Sequence, residues 1–249
     1  MHIAPQFLLG ILPPNSTKAN VLALRLSAND AVRLRQGLLT DAGNYYYSGL
    51  ISFLDGSLGL DRSLYTWSTV KFYYSVFYAL RCLLALRSHC IYYVNEKPFT
   101  CCGIAGSLSA ACKGTTHKVV LSLFGQVFAG DPLLSQPIGG EPALEWLMNR
   151  REDANYKQGR FADPTAPDHF LKVTQLGFRR AINAYLKEAS SLYVFDPDHA
   201  MIAFPLAALL RARTGLKTQN LQLDLDSGRF LSALGRDKSG RIAGLDQLF

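Results

Sequence analysis

Residues 63–87 form an unbroken run of 25 residues without glycine or proline, and this run limits the possible folds more than any other feature. It reads SLYTWSTVKFYYSVFYALRCLLALR. Apolar side chains would occupy nearly every direction around a helix built from it, which is typical of a helix buried in the middle of a protein. Its aromatic and β-branched residues also suit a strand, but the length favours a helix. We therefore predict one central, buried helix.

Most of the other segments also predict helices, so the expected fold class is mainly α. Ser27-Ala28-Asn29-Asp30 offers N-caps, Pro142 suits a first helical turn, and Thr165 with Asp168 resembles a capping box. A helix is expected to open at Thr115 and to stop before Gly130. The other predicted helices cover about 30–40, 142–156, 168–192 and 201–213, and a separate apolar stretch covers 45–54 and ends at Asp55-Gly56.

Two short segments alternate between apolar and other residues, which indicates extended structure. The segment NVLALRL, residues 20–26, predicts a short strand or an extended lead-in, and LQLDLD, residues 221–226, predicts a strand. The connector 88–114 is expected to turn at residues 95–98. Its small, apolar part at 101–112 suits either a short helix or a packed loop.

Composition narrows the class of protein. The net charge of +7 and the pI near 9.2 permit an anionic partner such as RNA, DNA or a nucleotide, although the basic residues are thinly spread. No stretch approaches the roughly 18 apolar residues of a membrane span, and no basic residue precedes the N-terminal apolar run. We therefore expect a cytoplasmic protein without a membrane partner.

Five cysteines without a CxxC pair predict reduced, mostly buried thiols and no metal site or cofactor.

Three segments taken in order resemble the HEPN superfamily. They are the aromatic helix WSTVKFYYSVFYALRCLL, the helix opening THKVV and the helix end REDANY, followed by a further long helix. The resemblance implies a HEPN-like up-and-down helical bundle over residues 61–195. Residues 1–60 would then be an N-terminal extension, a small β-containing lead-in with one or two helices packed on the bundle. Residues 196–249 would be a C-terminal extension with a short helix and a tail rich in strand and turns.

The HEPN resemblance also implies a range of functions. Many members are metal-independent ribonucleases of toxin–antitoxin, CRISPR and antiviral systems, with an arginine followed four to six residues later by a histidine. Other members lack this motif and bind RNA, nucleotides or protein partners. The family usually pairs, so the resemblance implies a homodimer and allows a protein partner encoded nearby.

The motif of the nucleases is incomplete in this chain. Arg151 matches the family arginine and Arg150 precedes it, but the histidine position is occupied by Asn155, Tyr156 or Lys157. A neutral imidazole suits both proton transfers of RNA cleavage near pH 7, whereas arginine donates no proton and tyrosine titrates near 10. An arginine with a tyrosine therefore binds a phosphate more readily than it cleaves one. Arg151 and Asn155, four residues apart, share a helix face that can bind an anion or the edge of a base.

His117 and Lys118 stand at a predicted helix N-terminus, where free N–H groups favour anions. His117 would complete a site with Arg151 if the two helices were neighbours, or it would be an ordinary capping or partly buried histidine. Arg151 would otherwise join a surface network with Asp153 or a glutamate, with Tyr156 packed on the bundle.

Four polar or aromatic residues of the central helix are further candidates for a site or an interface. Tyr73 and Tyr74 are expected in the core or an interface rather than as platforms for base stacking. Lys71 and Arg81 interrupt the apolar pattern, so they would face a cleft or a partner, or extend their aliphatic stems along the bundle edge.

Together with the missing histidine, the HEPN resemblance implies a non-catalytic HEPN-like subunit that binds RNA, a nucleotide or a protein in a prokaryotic antiviral defence or toxin–antitoxin system. The RNA- or anion-binding candidates are Arg150, Arg151, Asn155, Tyr156, His117 and Lys118. One alternative is a divergent, metal-independent ribonuclease, with Arg151, Tyr156 and His117 as catalytic candidates. A second alternative is a helical scaffold with no role in nucleic-acid binding.

Overall fold

A computed structural model describes residues 2–157, 159–237, 240–242 and 245–248, and this part of the chain is mainly α-helical. The helices are α1 Ile3–Ile11, α2 Lys18–Ala23, α3 Ala28–Asp61, α4 Tyr65–Leu86, α5 Thr116–Val127, α6 Ala143–Tyr156, α7 Asp168–Leu176, α8 Phe178–Lys187, α9 Leu192–Phe195, α10 Ala200–Thr218 and α11 Leu225–Leu234. Short 3-10 turns cover Pro132–Leu134 and Leu245–Leu248. The mainly helical class is confirmed, whereas the HEPN-like arrangement remains a prediction.

The central helix predicted over residues 63–87 is present as α4. Most of its side chains are buried, and Phe72 and Tyr73 are among the largest fully buried side chains of the protein. It packs against α3, α5, α6 and α10, so the core surrounds it. The core takes residues from all three predicted segments, 1–60, 61–195 and 196–249.

The helix beside α4 is longer than the sequence suggested. We expected a helix over 30–40 and a separate stretch over 45–54, but α3 continues from Ala28 to Asp61. Ser27 caps it, since its side chain accepts from the backbone N–H of Asp30 at 3.1 Å. Within α3, Gly49 and Gly56 lie against α4. A Cβ added at Gly49 would stand 3.3 Å from the Ser75 backbone oxygen, and one added at Gly56 would stand 3.2 Å from the Lys71 side chain. This close packing against α4 offsets the low helix propensity of glycine.

The connector 88–114 contains strands that the sequence analysis missed, so the bundle is not all-helical between residues 61 and 195. The strands of this sheet are β1 His89–Val94, β2 Lys97–Cys102 and β3 Ala110–Ala111, paired antiparallel in that order. Asn95 and Glu96 join the first two with positive φ angles of 48° and 63°, as a two-residue hairpin requires. The turn predicted at 95–98 is therefore present at Asn95 and Glu96, whereas Lys97 and Pro98 already belong to β2. Two-residue strands complete the list: β4 Pro137–Ile138, β5 Glu141–Pro142, β6 Arg236–Asp237 and β7 Gly240–Arg241.

The predicted N-terminal strand over residues 20–26 is wrong, because that segment begins with α2. Thr17 and Asn20 form a reciprocal capping box that starts this helix, and Val21 is its buried residue. Extended pairing in the segment is limited to a single bridge between Arg25 and Leu108. Local capping of the backbone outweighs the alternating pattern here.

Several expectations for the C-terminal half also fail. The predicted helix 168–192 is divided into α7 and α8 at Gly177, whose φ of 87° breaks the helical path. The predicted capping box of Thr165 and Asp168 does not form, since α7 has Pro167 at its N-cap position and no side-chain cap. The predicted strand 221–226 is instead irregular up to Asp224, which caps α11 by accepting from the Ser227 N–H at 2.8 Å.

Two expectations from composition concern the membrane and the cysteines. Within the described ranges, no helix combines the length and apolarity needed to cross a bilayer. All five cysteines are free, and Cys82, Cys90 and Cys101 are buried, as predicted for reduced thiols inside a protein.

The first helix is held by a carboxylate from another helix. Asp41 of α3 is fully buried, and its two oxygens accept from the backbone N–H groups of Ile3 and Ala4, each at 2.9 Å. His2, at the N-cap position of α1, provides no side-chain cap. A carboxylate at this end of a helix satisfies free N–H groups and interacts favourably with the helix dipole.

We expect Asp41→Ala to lower the free energy of unfolding by about 2 kcal/mol, because a buried and a partly buried N–H group lose a charged acceptor. Chemical denaturation measures this loss, and hydrogen exchange should accelerate over residues 3–11. Asp41→Asn keeps one acceptor, so its free energy of unfolding should lie between those of Asp41→Ala and the wild type. Unchanged exchange in α1 of the alanine variant would show that α1 does not depend on this cap.

Candidate arginine–tyrosine site

The two adjacent arginines of α6 lie on different faces of the helix. Arg151 is buried, with 8% of its surface exposed, and faces α4. Arg150 instead lies 3.7 Å from carboxylate oxygens of both Glu141 and Asp153, and its guanidinium stands 5.6 Å from the Trp146 ring centroid. Consecutive helical residues point about 100° apart, which explains the separation. Arg150 is therefore not part of the Arg151 site.

The guanidinium of Arg151 is surrounded by tyrosine rings. Its Cζ lies 5.8 Å from the ring centroids of both Tyr73 and Tyr74, and 5.1 Å from that of Tyr156. These are distances at which a cation is attracted to an aromatic face. Burial lowers the pKa of Arg151, but a hydrogen bond with Tyr74 and the neighbouring tyrosines raise it by more, so the group keeps its charge.

The positive charge of Arg151 is not neutralised by an ion pair with any residue that the structure describes. Its Nε is buried and has no hydrogen-bond partner in the described part of the chain. The predicted network of Arg151 with Asp153 is wrong, because Asp153 pairs with Arg150 and, at 2.7 Å, with Lys157. A buried cation without a carboxylate partner is uncommon and favours an external anion.

His117 reaches the same place from α5. Its Nδ1 lies 2.9 Å from the hydroxyl oxygen of Tyr73, and its ring centroid lies 5.6 Å from that of Tyr74 and 4.6 Å from that of Phe77. Burial lowers the pKa of His117, and the positive charge of Arg151 lowers it further, while Glu152 acts in the opposite direction. His117 is therefore neutral near pH 7. We refer to Tyr73, Tyr74, His117, Arg151 and Tyr156 as the Arg151 cluster.

The remaining predicted site residues contribute less to the cluster. Tyr156 covers Arg151 from the end of α6 but remains 68% exposed, so it does not pack on the bundle as one interpretation required. Its hydroxyl accepts a long contact of 3.5 Å from Arg151. Asn155 is half-buried on α6, and Lys118 is exposed beside a separate cavity next to the start of α6. The structure thus brings together His117, Arg151 and Tyr156, and leaves Arg150 and Lys118 apart.

Tyr74 is the member of the cluster that sequence reasoning placed differently. Tyr73 is buried as expected, but Tyr74 is half-buried and contacts both Arg151 and His117. The sequence held a signal for this, because Tyr74 lies three residues after Lys71 and seven before Arg81, on the same side of α4 as both.

On the other face of α6, a cavity of about 360 Å³ adjoins Arg150 and His169. The Nε2 of His169 lies 3.0 Å from the Thr69 hydroxyl, and its ring packs against Phe170. Burial lowers the pKa of His169 to about 4, and Arg150 adds to this effect.

The Arg151 cluster has groups for binding an anion and few for proton transfer. Arg151 supplies a fixed positive charge, and the tyrosines supply hydroxyl donors and ring faces. His117 is a neutral imidazole that can accept a proton, whereas burial raises the pKa of Tyr73 well above its usual value. The chain matches no protein-family model, no curated protein and no solved structure. The HEPN resemblance therefore remains a prediction that rests on the motifs alone.

Proposed function

We propose that this protein binds RNA or a nucleotide by holding a phosphate at the Arg151 cluster, without cleaving it. The observation that carries the proposal is the buried Arg151 guanidinium, which lies among tyrosine rings and forms no ion pair with the residues described. A phosphate would supply the missing negative charge and accept from the guanidinium. The HEPN-like bundle and a homodimer are part of the same proposal.

The arrangement favours binding over cleavage because a general acid is missing from the described cluster. Cleavage of RNA without a metal requires a base for the 2′-hydroxyl and an acid for the leaving oxygen. Arg151 holds its proton at any useful pH, and the raised pKa of Tyr73 makes that hydroxyl a poor acid. His117 is neutral and supplies at most one of the two functions.

The alternative function is a metal-independent ribonuclease with His117 as its base. One observation favours it: the neutral imidazole of His117 contacts Tyr73 and Tyr74, the same two tyrosines that contact Arg151. Such an enzyme would recruit its histidine from α5 rather than from the end of α6. We expect it to slow growth when expressed, with relief by His117→Gln.

Fluorescence anisotropy with labelled single-stranded RNA tests the proposed function. Binding should weaken as salt rises, with a slope of about 0.7 in logarithmic units for each phosphate contacted. A gel of the same RNA, with a chelator present, should show no cleavage. Cleavage that disappears in both His117→Gln and Arg151→Gln would replace the proposal with the ribonuclease. An absence of RNA binding even at low salt would contradict the proposal for RNA and favour a subunit that binds a protein partner or a scaffold.

A further inference from the structure

The central helix has a single accessible line of side chains. Between residues 65 and 81, every side chain of α4 is buried except Trp67, Lys71, Tyr74, Tyr78 and Arg81. Their spacing of four, three, four and three residues places them along one edge of the helix. We call these five residues the α4 stripe. It contains three aromatic rings and two cations but no carboxylate, whereas an ordinary exposed helix edge mixes acidic and basic residues.

The α4 stripe passes directly beside the Arg151 cluster. Tyr74 belongs to both, with its ring 5.8 Å from the Arg151 guanidinium and 5.6 Å from the His117 ring. The next ring along the stripe, Tyr78, lies 6.2 Å from Tyr74 between centroids, with a tilt of 33°. These two rings present neighbouring faces along one line.

The other end of the α4 stripe is formed by Trp67, whose side chain is 47% exposed. Phe161 supports it edge-on at 5.8 Å and leaves its indole accessible. Trp67 and Tyr78 are eleven residues apart, which corresponds to about 17 Å along a helix. Arg81 closes the stripe, since its guanidinium lies over the Tyr45 ring at 4.1 Å and donates to the Tyr45 hydroxyl.

Between the aromatic rings, Lys71 provides a charge that a phosphate can use. Its Nζ lies 2.7 Å from the carboxylate of Asp55, and both side chains are about half exposed. An exposed ion pair of this kind contributes little to stability, so Lys71 can readily leave Asp55 for another anion. Together, Lys71 and Arg151 place positive charge beside the aromatic rings of the α4 stripe, whose faces are suited to base stacking.

We propose that the α4 stripe is the path of a single-stranded nucleic acid, with bases stacked on Trp67, Tyr74 and Tyr78 and phosphates at Lys71 and Arg151. This inference rests on the proposed function and names its ligand class. A line of aromatic rings between cations suits single strands, because every base has a face to stack and a duplex keeps its bases paired inside. A lone nucleotide would occupy the Arg151 end and leave Trp67 untouched.

Trp67 provides a direct readout of the path. The chain contains two tryptophans, and the other, Trp146, is buried beside Arg150. A single-stranded RNA of about 12 nucleotides, long enough for the whole stripe, should quench the Trp67 emission. The quenching should disappear in Trp67→Leu. ATP should bind at the cluster without this quenching.

Two further ligands separate stacking from charge. One is an abasic oligomer of equal length, which keeps the phosphates and lacks the bases, and the other is the matched duplex. Tyr78→Leu should weaken the binding of single-stranded RNA about tenfold, whereas Tyr78→Phe should retain it. Neither variant should change the binding of the abasic oligomer. Circular dichroism and the melting temperature check that each variant folds.

The outcomes distinguish this inference from the proposed function. If the abasic oligomer and the RNA bind equally well, or if Tyr78→Leu weakens both alike, the stacking path is wrong and the phosphate site remains. If the duplex binds as tightly as the single strand and also quenches Trp67, the ligand class is wrong. If Arg151→Gln leaves every ligand unaffected, the proposed function fails together with the path.

Discussion

Replacing Arg151 by glutamine is expected to weaken the binding of single-stranded RNA about 100-fold. The variant removes the one buried guanidinium of the cluster, which lies against Tyr73 and Tyr74 and has no carboxylate partner in the described residues. Loss of charged hydrogen bonds to a phosphate in such a place corresponds to about 2.7 kcal/mol. Arg151→Lys keeps the charge but loses the planar fork, so about a tenfold loss is expected.

Arg150→Gln is the matched control, because it removes the same charge one residue away. Arg150 points about 100° away from Arg151 around α6, near Glu141 and Asp153. We expect its RNA affinity to stay within about threefold of the wild type at equal salt, since Arg150 is already close to two carboxylates and partly exposed. The salt slope should fall by about 0.7 only in the Arg151 variant. Equal losses in both variants would indicate a diffuse basic surface rather than a site at Arg151.

The central helix was predictable because its signal is local. A long, mainly apolar run without glycine or proline contains its own evidence of helix and burial, and α4 matches it from Tyr65 to Leu86. The helix openings at Ser27 and Thr115 are also where the sequence predicts them, although only the Ser27 side chain caps its helix. In the same way, Arg151 was singled out from a short motif.

The features that were missed depend on contacts between distant residues. Residues 28–61 form one helix because Gly49 and Gly56 pack closely against α4. The free N–H groups at the start of α1 are bonded by Asp41, which lies on another helix. The contact between His117 of α5 and Tyr73 of α4 joins residues 44 positions apart. A sequence pattern reports which residues share a face, but not which helix will cover that face.

His169 is expected to make the free energy of unfolding strongly dependent on pH. Burial lowers its pKa in the folded protein to about 4, from an ordinary value of 6.5 in the unfolded chain. Between these two values the unfolded chain binds more protons, so folding loses stability as the pH falls from about 6.5 to about 4. The full contribution is present above pH 6.5, and its loss amounts to at most about 3 kcal/mol.

The cause of this pH dependence is the location of His169 between α4 and α6. Its ring packs against Phe170 and Trp146, and Nε2 is bonded to the Thr69 hydroxyl. The positive charge of Arg150 opposes protonation further, and Asp153 only partly offsets it. An imidazolium in this place would therefore lose water and face a like charge, which favours opening of the contact between α7 and α4.

His169→Asn isolates this contribution, because asparagine can bond to Thr69 but does not titrate. Urea denaturation at several pH values between about 7 and 4 gives the free energy of unfolding of both proteins. His2, His89 and His117 also have lowered pKa values and add to the slope of both. The variant should therefore lose less stability than the wild type, with the difference accumulating below pH 6.5. Parallel curves would show that His169 protonates without disturbing the fold, and that α7 is not held by a neutral imidazole.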